Sequence, residues 1–221
     1  VKPNRVWTIN AYFDQFRFPW LRYQTNGPSD GSDWFGQVTY KPSKRVEIYA
    51  RVRRQNRQRN TTEEVAGVDP LVSVQQTNYR FNASYKVSES VSLRTRLESI
   101  DYVRGSSPLE HGFLIYQDVV HRPLKSMFEF SGRIALFATD SYNARIYAYE
   151  NDLIGLFSIP PYYGRGMRWY GMVRATPVRR VDVWVRYGAW IYNGQDRISS
   201  GLQEISGNLK SDLHLQVKFR F

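Results

Sequence analysis

The sequence has 221 residues, with 31 Lys and Arg against 20 Asp and Glu for a formal net charge of +11, and no cysteine. This length suits one large domain or one barrel; disulfides and thiolate metal sites are excluded, and no run of about 18 apolar residues exists to form a transmembrane helix. Sixteen Tyr, twelve Phe and six Trp nevertheless make the chain rich in rings, and a membrane-crossing strand needs only about 9–11 residues that are apolar at alternate positions.

Strand patterns follow one another along the chain, because side chains of a strand switch sides at every residue. Trp7, Ile9, Ala11 and Phe13 alternate with Thr8, Asn10, Tyr12 and Asp14. After a Gly/Ser/Asp-rich stretch, Trp34, Gly36, Val38 and Tyr40 form the next apolar face, and Lys41-Pro42-Ser43-Lys44 reads as a tight turn. Val46, Ile48, Ala50 and Val52 oppose Glu47, Tyr49, Arg51 and Arg53, with the strand running on towards Arg57 and Arg59. Tyr79, Phe81, Ala83, Tyr85 and Val87 oppose Arg80, Asn82, Ser84 and Lys86. Residues 91–103 blur the alternation, as a bulge would, and residues 112–121 are ambiguous in face. Phe128, Phe130, Gly132, Ile134, Leu136 and Ala138 oppose Glu129, Ser131 and Arg133.

Ala144, Ile146 and Ala148 against Arg145, Tyr147 and Tyr149 predict another strand, then a turn at Glu150-Asn151-Asp152 and a brief strand over 153–159 that stops at Pro160-Pro161. Trp169, Gly171, Val173 and Ala175 oppose Arg168, Tyr170, Met172 and Arg174; Val181, Val183, Val185, Tyr187, Ala189 and Ile191 oppose Asp182, Trp184, Arg186 and Trp190. A Gly/Ser/Asn-rich loop over 193–207 leads to the last segment. There Leu213, Leu215, Val217, Phe219 and Phe221 share one face, and Asp212, His214, Gln216, Lys218 and Arg220 the other. This stretch resembles the terminal strand of bacterial outer-membrane β-barrels, in which the closing Phe belongs to the signal read by the barrel-assembly machinery. The resemblance makes that apolar set, Leu213 to Phe221, the expected assembly signal; the alternative is the last strand of a soluble β-sandwich.

The count is about twelve strands, with ten or fourteen as alternatives, in an antiparallel up-and-down transmembrane β-barrel occupying residues 1–221. Short connections fall near 42–44, 88–90, 122–125, 150–152 and 177–179. Those centred on 19–33, 60–70, 105–110, 139–142, 160–165 and 193–207 are mostly longer, the asymmetry of periplasmic turns and outer loops. Trp34 and Trp169 fall near the outer strand ends, and Trp7, Tyr40, Tyr85 and Phe221 near the inner ends, as two interfacial girdles require. The chain opens at Val1-Lys2-Pro3 without a signal peptide, so a processed form or the C-terminal part of a longer precursor is expected.

With the apolar faces on lipid, the lumen would hold Arg51, Arg53, Arg80, Lys86, Arg94, Arg96, Arg133, Arg145, Arg168, Arg174, Arg186, Lys218 and Arg220. Glu47, Glu98, Glu129, Asp182 and Asp212 would face them. One reading is a closed ion-pair network filling the lumen; the other is an anion-favouring pore for small solutes. Arg54, Arg57 and Arg59 are candidates for lipopolysaccharide phosphates, since guanidinium matches phosphate geometry, beside the plain reading of a solvated rim. The positive charge is spread through strand patterns and no nucleic-acid fold is recognisable, so nucleic acid is not an expected partner of this domain. The three histidines, His111, His121 and His214, are isolated. No Ser-His-acid set, nucleophile elbow or metal spacing emerges. A non-enzymatic protein without cofactor or metal is expected.

A more specific resemblance lies over Ala144–Phe221. Its landmarks are Tyr149-Glu-Asn-Asp-Leu153, Phe157-Ser-Ile-Pro160, Tyr163-Gly-Arg-Gly166, Trp184-Val-Arg-Tyr187 and Ile198-Ser-Ser-Gly-Leu-Gln-Glu-Ile-Ser-Gly-Asn208. They resemble the C-terminal barrel of Bacteroidota envelope proteins that carry helix-hairpin-helix repeats nearer the N-terminus. The match covers about the last third of the chain, and the repeats themselves are not in this sequence. It implies an outer-membrane barrel of Bacteroidota-like origin and no DNA-uptake function. The reading of the chain as a whole is an envelope scaffold or accessory subunit of a larger outer-membrane assembly, with a plugged lumen. Outer-membrane lipid, lipopolysaccharide, the assembly machinery and other outer-membrane proteins would be its partners.

Overall fold

A computed structural model describes residues 4–63 and 67–220. The chain is all-β, and ten long strands build one antiparallel sheet. They are β1 (Trp7–Phe18), β2 (Ser29–Tyr40), β3 (Val46–Asn60), β4 (Leu71–Lys86), β5 (Val91–Arg104), β6 (Glu110–His121), β7 (Phe128–Thr139), β10 (Arg165–Val178), β11 (Val181–Tyr192) and β14 (Leu209–Phe219). Two-residue pairs complete the set: β8 (Ile146–Tyr147) with β9 (Pro161–Tyr162), and β12 (Arg197–Ile198) with β13 (Ile205–Ser206). Each long strand pairs with the preceding and following long strand, so the sheet is a simple meander. Among the described residues, β1 and β14 are its two edges and do not pair with each other.

The short turns sit at one end of the sheet. Ser88 Oγ accepts the backbone N–H groups of Ser90 and Val91 at 3.2 and 3.1 Å, and Ser43 Oγ accepts that of Arg45 at 3.1 Å. Hydroxyl acceptance of this kind makes Ser a turn former. The β10–β11 register shifts between Ala175 and Val178, where Pro177 has no N–H to give the ladder.

The two faces differ sharply in chemistry. Ile134, Leu136, Val185, Leu213, Leu215 and Val217 project from the outward face and are exposed, Leu215 to 67%. The opposite, inner face is largely polar, and from β5 to β14 it is covered by residues 140–164, while the inner positions at the middle of β1 stay exposed.

That covering segment corrects the expected strand count. Residues 144–149 and 153–159 are not strands of the ten-stranded sheet; the connection from β7 to β10, with its short β8–β9 pair, folds back over the inner face instead. Ala144, Ile146 and Ala148 are buried, not outward-facing, and they pack in one cluster with Ile100, Leu114, Tyr116, Ala135 and Phe137. Glu150-Asn151-Asp152 is the inward reach of this segment and not an end-of-strand turn. The count falls by two and stays even, so the first and last strands still begin and end at the short-turn end.

The same cluster explains two other departures. β5 runs through residues 91–102 in unbroken register with β6 and carries no bulge. Its alternation blurs because Ile100 and Tyr102 point inward, and β6 is ambiguous because Leu114 and Tyr116 do likewise. Near the long-loop end the inner face has an apolar partner to bury, which stabilises by about 1.5–3 kcal/mol per large side chain.

Candidate functional site

The inner face is layered from the long-loop end to the short-turn end. The first layer is the apolar cluster, in which Phe137 meets Tyr162 and Trp190 edge-on at 5.6 and 5.7 Å. Gly112 makes room for the covering segment: a Cβ there would lie 2.2 Å from the Ala144 carbonyl oxygen and 2.5 Å from Ile100 Cγ2.

The second layer is a buried charge network. The Glu150 carboxylate accepts Arg168 Nε and Nη2, both at 3.1 Å, Arg186 Nη2 at 2.5 Å and the Tyr162 hydroxyl at 2.8 Å. Asp212 accepts Arg168 Nη1 and Arg186 Nη1, each at 2.8 Å. Arg186 also donates to the Asn151 carbonyl at 3.1 Å, and Asp152 meets His214 Nδ1 at 3.1 Å. Arg133 grips Asp118 through two bonds of 2.6 and 2.8 Å and lies over the Tyr116 ring at 3.6 Å. Paired forks of this kind are the strong form of the guanidinium–carboxylate bond. Glu98 receives Arg80 at 2.9 and 3.0 Å and also Arg96. Burial pushes the Tyr162 hydroxyl well above the usual phenol range, and the adjoining Glu150 adds to the shift, so it stays a donor.

The third layer is a cavity of about 650 Å³ at the short-turn end, lined by the β2–β3 turn, by the ends of β3 to β7, β10 and β11, and by residues of the covering segment. Arg174 crosses its wall from Glu129 at 2.9 Å to Asp182 at 3.1 Å, and Arg220 reaches Asp182 at 2.7 Å.

The expected lumen set is therefore divided. Arg96, Arg133, Arg168 and Arg186 are buried in ion pairs, and Arg80 and Arg174 are partly buried in them. Arg53 holds Asp33 at 2.5 Å, and Arg51 donates to Gln37 at 2.8 Å. Lys86 and Arg94 are exposed at the cavity, and Lys218 and Arg220 are exposed near the β14 edge. Arg145 does not belong to the inner-face set: it lies in the covering segment and donates to the Tyr142 carbonyl and the Tyr147 hydroxyl. Arg54, Arg57 and Arg59 do not share a face, because an odd spacing separates the first from the other two. Arg54 is exposed on the outward face and bonds Gln75 at 3.0 Å, whereas Arg57 and Arg59 line a small cavity of about 160 Å³ with Arg22. Leu213, Leu215, Val217 and Phe219 form an exposed outward row; Phe221 lies outside the described residues.

Glu150, Asp152, Asp118 and Tyr162 are central here, and sequence reasoning missed them. Glu150 and Asp152 sat in an apparent turn, and Asp118 in a strand of ambiguous face. Nor are the histidines all isolated: His111 Nδ1 meets Asp101 at 2.8 Å across the β5–β6 ladder. No group of three or more His, Asp or Glu suited to a metal ion occurs among the described residues.

Fold and site together define a class: an all-β protein with one exposed apolar sheet face and one covered, ion-paired face. No protein family, curated protein or solved structure was found to match the chain.

Proposed function

We propose that this chain is the membrane-spanning β-domain of a bacterial outer-membrane protein, its sheet closed into a barrel. In this reading it serves without catalysis as an envelope scaffold or accessory subunit of a larger outer-membrane assembly. The observation that carries the proposal is the exposed apolar face, which continues across the sheet from Ile9 and Phe13 in β1 to Leu213, Leu215 and Val217 in β14. A large apolar surface of this kind, interrupted at mid-sheet by the Thr95–Gln117 hydrogen bond between β5 and β6, needs a cover, and lipid is one that matches its extent.

Strand length agrees. The long strands have 11 to 16 residues. Ten steps along β14 at about 3.4 Å give roughly 34 Å, and a tilt near 40° reduces this to about 26 Å, close to the apolar band of such barrels. Ring pairs lie at both levels, Trp7 on Tyr40 at 4.6 Å and Phe13 on Trp34 at 4.3 Å. In a barrel, β1 and β14 run antiparallel and supply the closing pair. Outer-membrane lipid covers the outward face, Arg54 is placed for lipopolysaccharide phosphate, and the Leu213–Phe219 row is presented to the assembly machinery. The Bacteroidota-like origin belongs to the same proposal and rests on the motifs of residues 144–221.

The covering segment and the ion pairs it makes with Arg168 and Arg186 favour a scaffold over an open channel. The anion-favouring pore draws support from the exposed Lys86 and Arg94. Planar-bilayer conductance separates the two: insulation supports the scaffold, anion-selective current the pore. The barrel itself is tested by SDS mobility of membrane-extracted protein with and without boiling. A heat-dependent shift is expected; solubility in plain buffer with no shift refutes it.

A further inference from the structure

We propose that the cavity at the short-turn end is a binding site for a phosphate-bearing anion of two or more negative charges. Its volume of about 650 Å³ lies in the range of small-molecule sites, and its charge is unbalanced. Every carboxylate on its wall is already taken. Glu47 pairs with Lys41 at 2.7 Å, Asp118 with Arg133 at 2.6 Å, and Glu129 with Arg174 at 2.9 Å and Arg122 at 3.3 Å; Asp152 lies 3.1 Å from His214 and 3.8 Å from Arg186. Three lining cations, Lys44, Lys86 and Arg94, have no ion-pair partner among the described residues.

Their placement sharpens the point. Lys86 stands opposite Ser92, and Arg94 opposite Ser84, in the β4–β5 ladder. The two cations are thus diagonal neighbours on one face with hydroxyl side chains between them, and Asp118, opposite Arg94 in the β5–β6 ladder, is held by Arg133 through two bonds. Like charges so placed repel, and an anion bound between them relieves that repulsion. Lys44, from the β2–β3 turn, lines the same cavity as Lys86 at the end of β4 and Arg94 in β5. An ammonium and a guanidinium offer a point charge and a planar fork, the combination that phosphate groups accept. Trp184 lines the same cavity beside Arg174, whose guanidinium lies 5.3 Å from its ring, and so provides a fluorescent reporter. The site needs only the covered inner face, not a membrane, so its fate is independent of the barrel proposal.

The test titrates the full chain, in mild detergent, with inorganic pyrophosphate and separately with short-chain phosphatidic acid, reading tryptophan fluorescence and heat. Saturable binding is expected, weakened at least tenfold by K86Q/R94Q and unchanged by R17Q, which alters an exposed rim pair far from the cavity. Binding should weaken as salt screens the charges. Response to both ligands marks a soluble phosphate compound as sufficient; response to phosphatidic acid alone marks a lipid headgroup. Absence of binding to either, or binding that K86Q/R94Q leaves unchanged, overturns the proposal. Tryptophan emission and a urea unfolding midpoint like those of the parent chain show that K86Q/R94Q is folded.

Discussion

Glu150→Gln isolates the element that holds the covering segment to the sheet. The substitution keeps the shape but replaces a carboxylate oxygen by an NH2 group that faces guanidinium donors. Glu150 is 1% exposed and serves Arg168, Arg186 and Tyr162 at once. Breaking a buried pair by removing one partner costs about 3–5 kcal/mol, because the other charge stays buried and uncompensated. Here Asp212 still holds each guanidinium at 2.8 Å, so the lower end applies. A loss of about 3 kcal/mol is roughly a 100-fold change in the unfolding equilibrium. With a urea slope of about 2 kcal/mol per molar, the midpoint falls by about 1.5 M. The assay is equilibrium urea unfolding followed by tryptophan emission, to which the buried Trp184 and Trp190 contribute. R17Q, in an exposed pair with Asp30, should leave the midpoint unchanged. A Glu150→Gln shift below about 0.3 M, with an unaltered slope, would refute the view that this carboxylate anchors the segment.

Gly112→Val should drive the covering segment off the sheet, because the added atoms meet the Ala144 carbonyl. Limited proteolysis should then cut within 140–164, while Gly171→Ala, at a position with open space, should not change the pattern. Ile146→Ala should cost about 2–5 kcal/mol by leaving a cavity in the cluster, read as a lowered urea midpoint. Ile134→Arg, on the exposed outward face, should cost about 2–4 kcal/mol of folding stability in lipid vesicles if that position lies at mid-depth. An unchanged folding yield in vesicles would count against lipid contact.

The long strands were legible because alternation is a local property. β14 sorts apolar from polar residues at every step, and β11 and β7 do so over their halves nearer the short turns; the backbone of a strand turns that pattern into two faces without further information. The turns were legible for a related reason, since Ser, Pro and Gly act within two or three residues. The Arg-rich character of one face followed from the same reading, and so did most of the arginines that end up in ion pairs.

Partners and register with the covering segment were not legible. Residues 144–149 alternate as well as any strand, yet their apolar half is buried against β5 to β7, and their fate depends on groups distant in sequence. Gly112 must lack a side chain where Ala144 crosses, and Arg168 and Arg186 must stand where Glu150 arrives. None of these conditions can be read within a window of ten residues. The sequence by itself determined an all-β chain with one apolar and one cationic face, because two-residue periodicity is enough to specify it. The tertiary structure alone decided that ten strands form the sheet, that residues 140–164 cover its inner face from β5 to β14, and that Lys44, Lys86 and Arg94 remain uncompensated. Those outcomes depend on which charges meet in space, and pairing across many residues of chain leaves no local pattern.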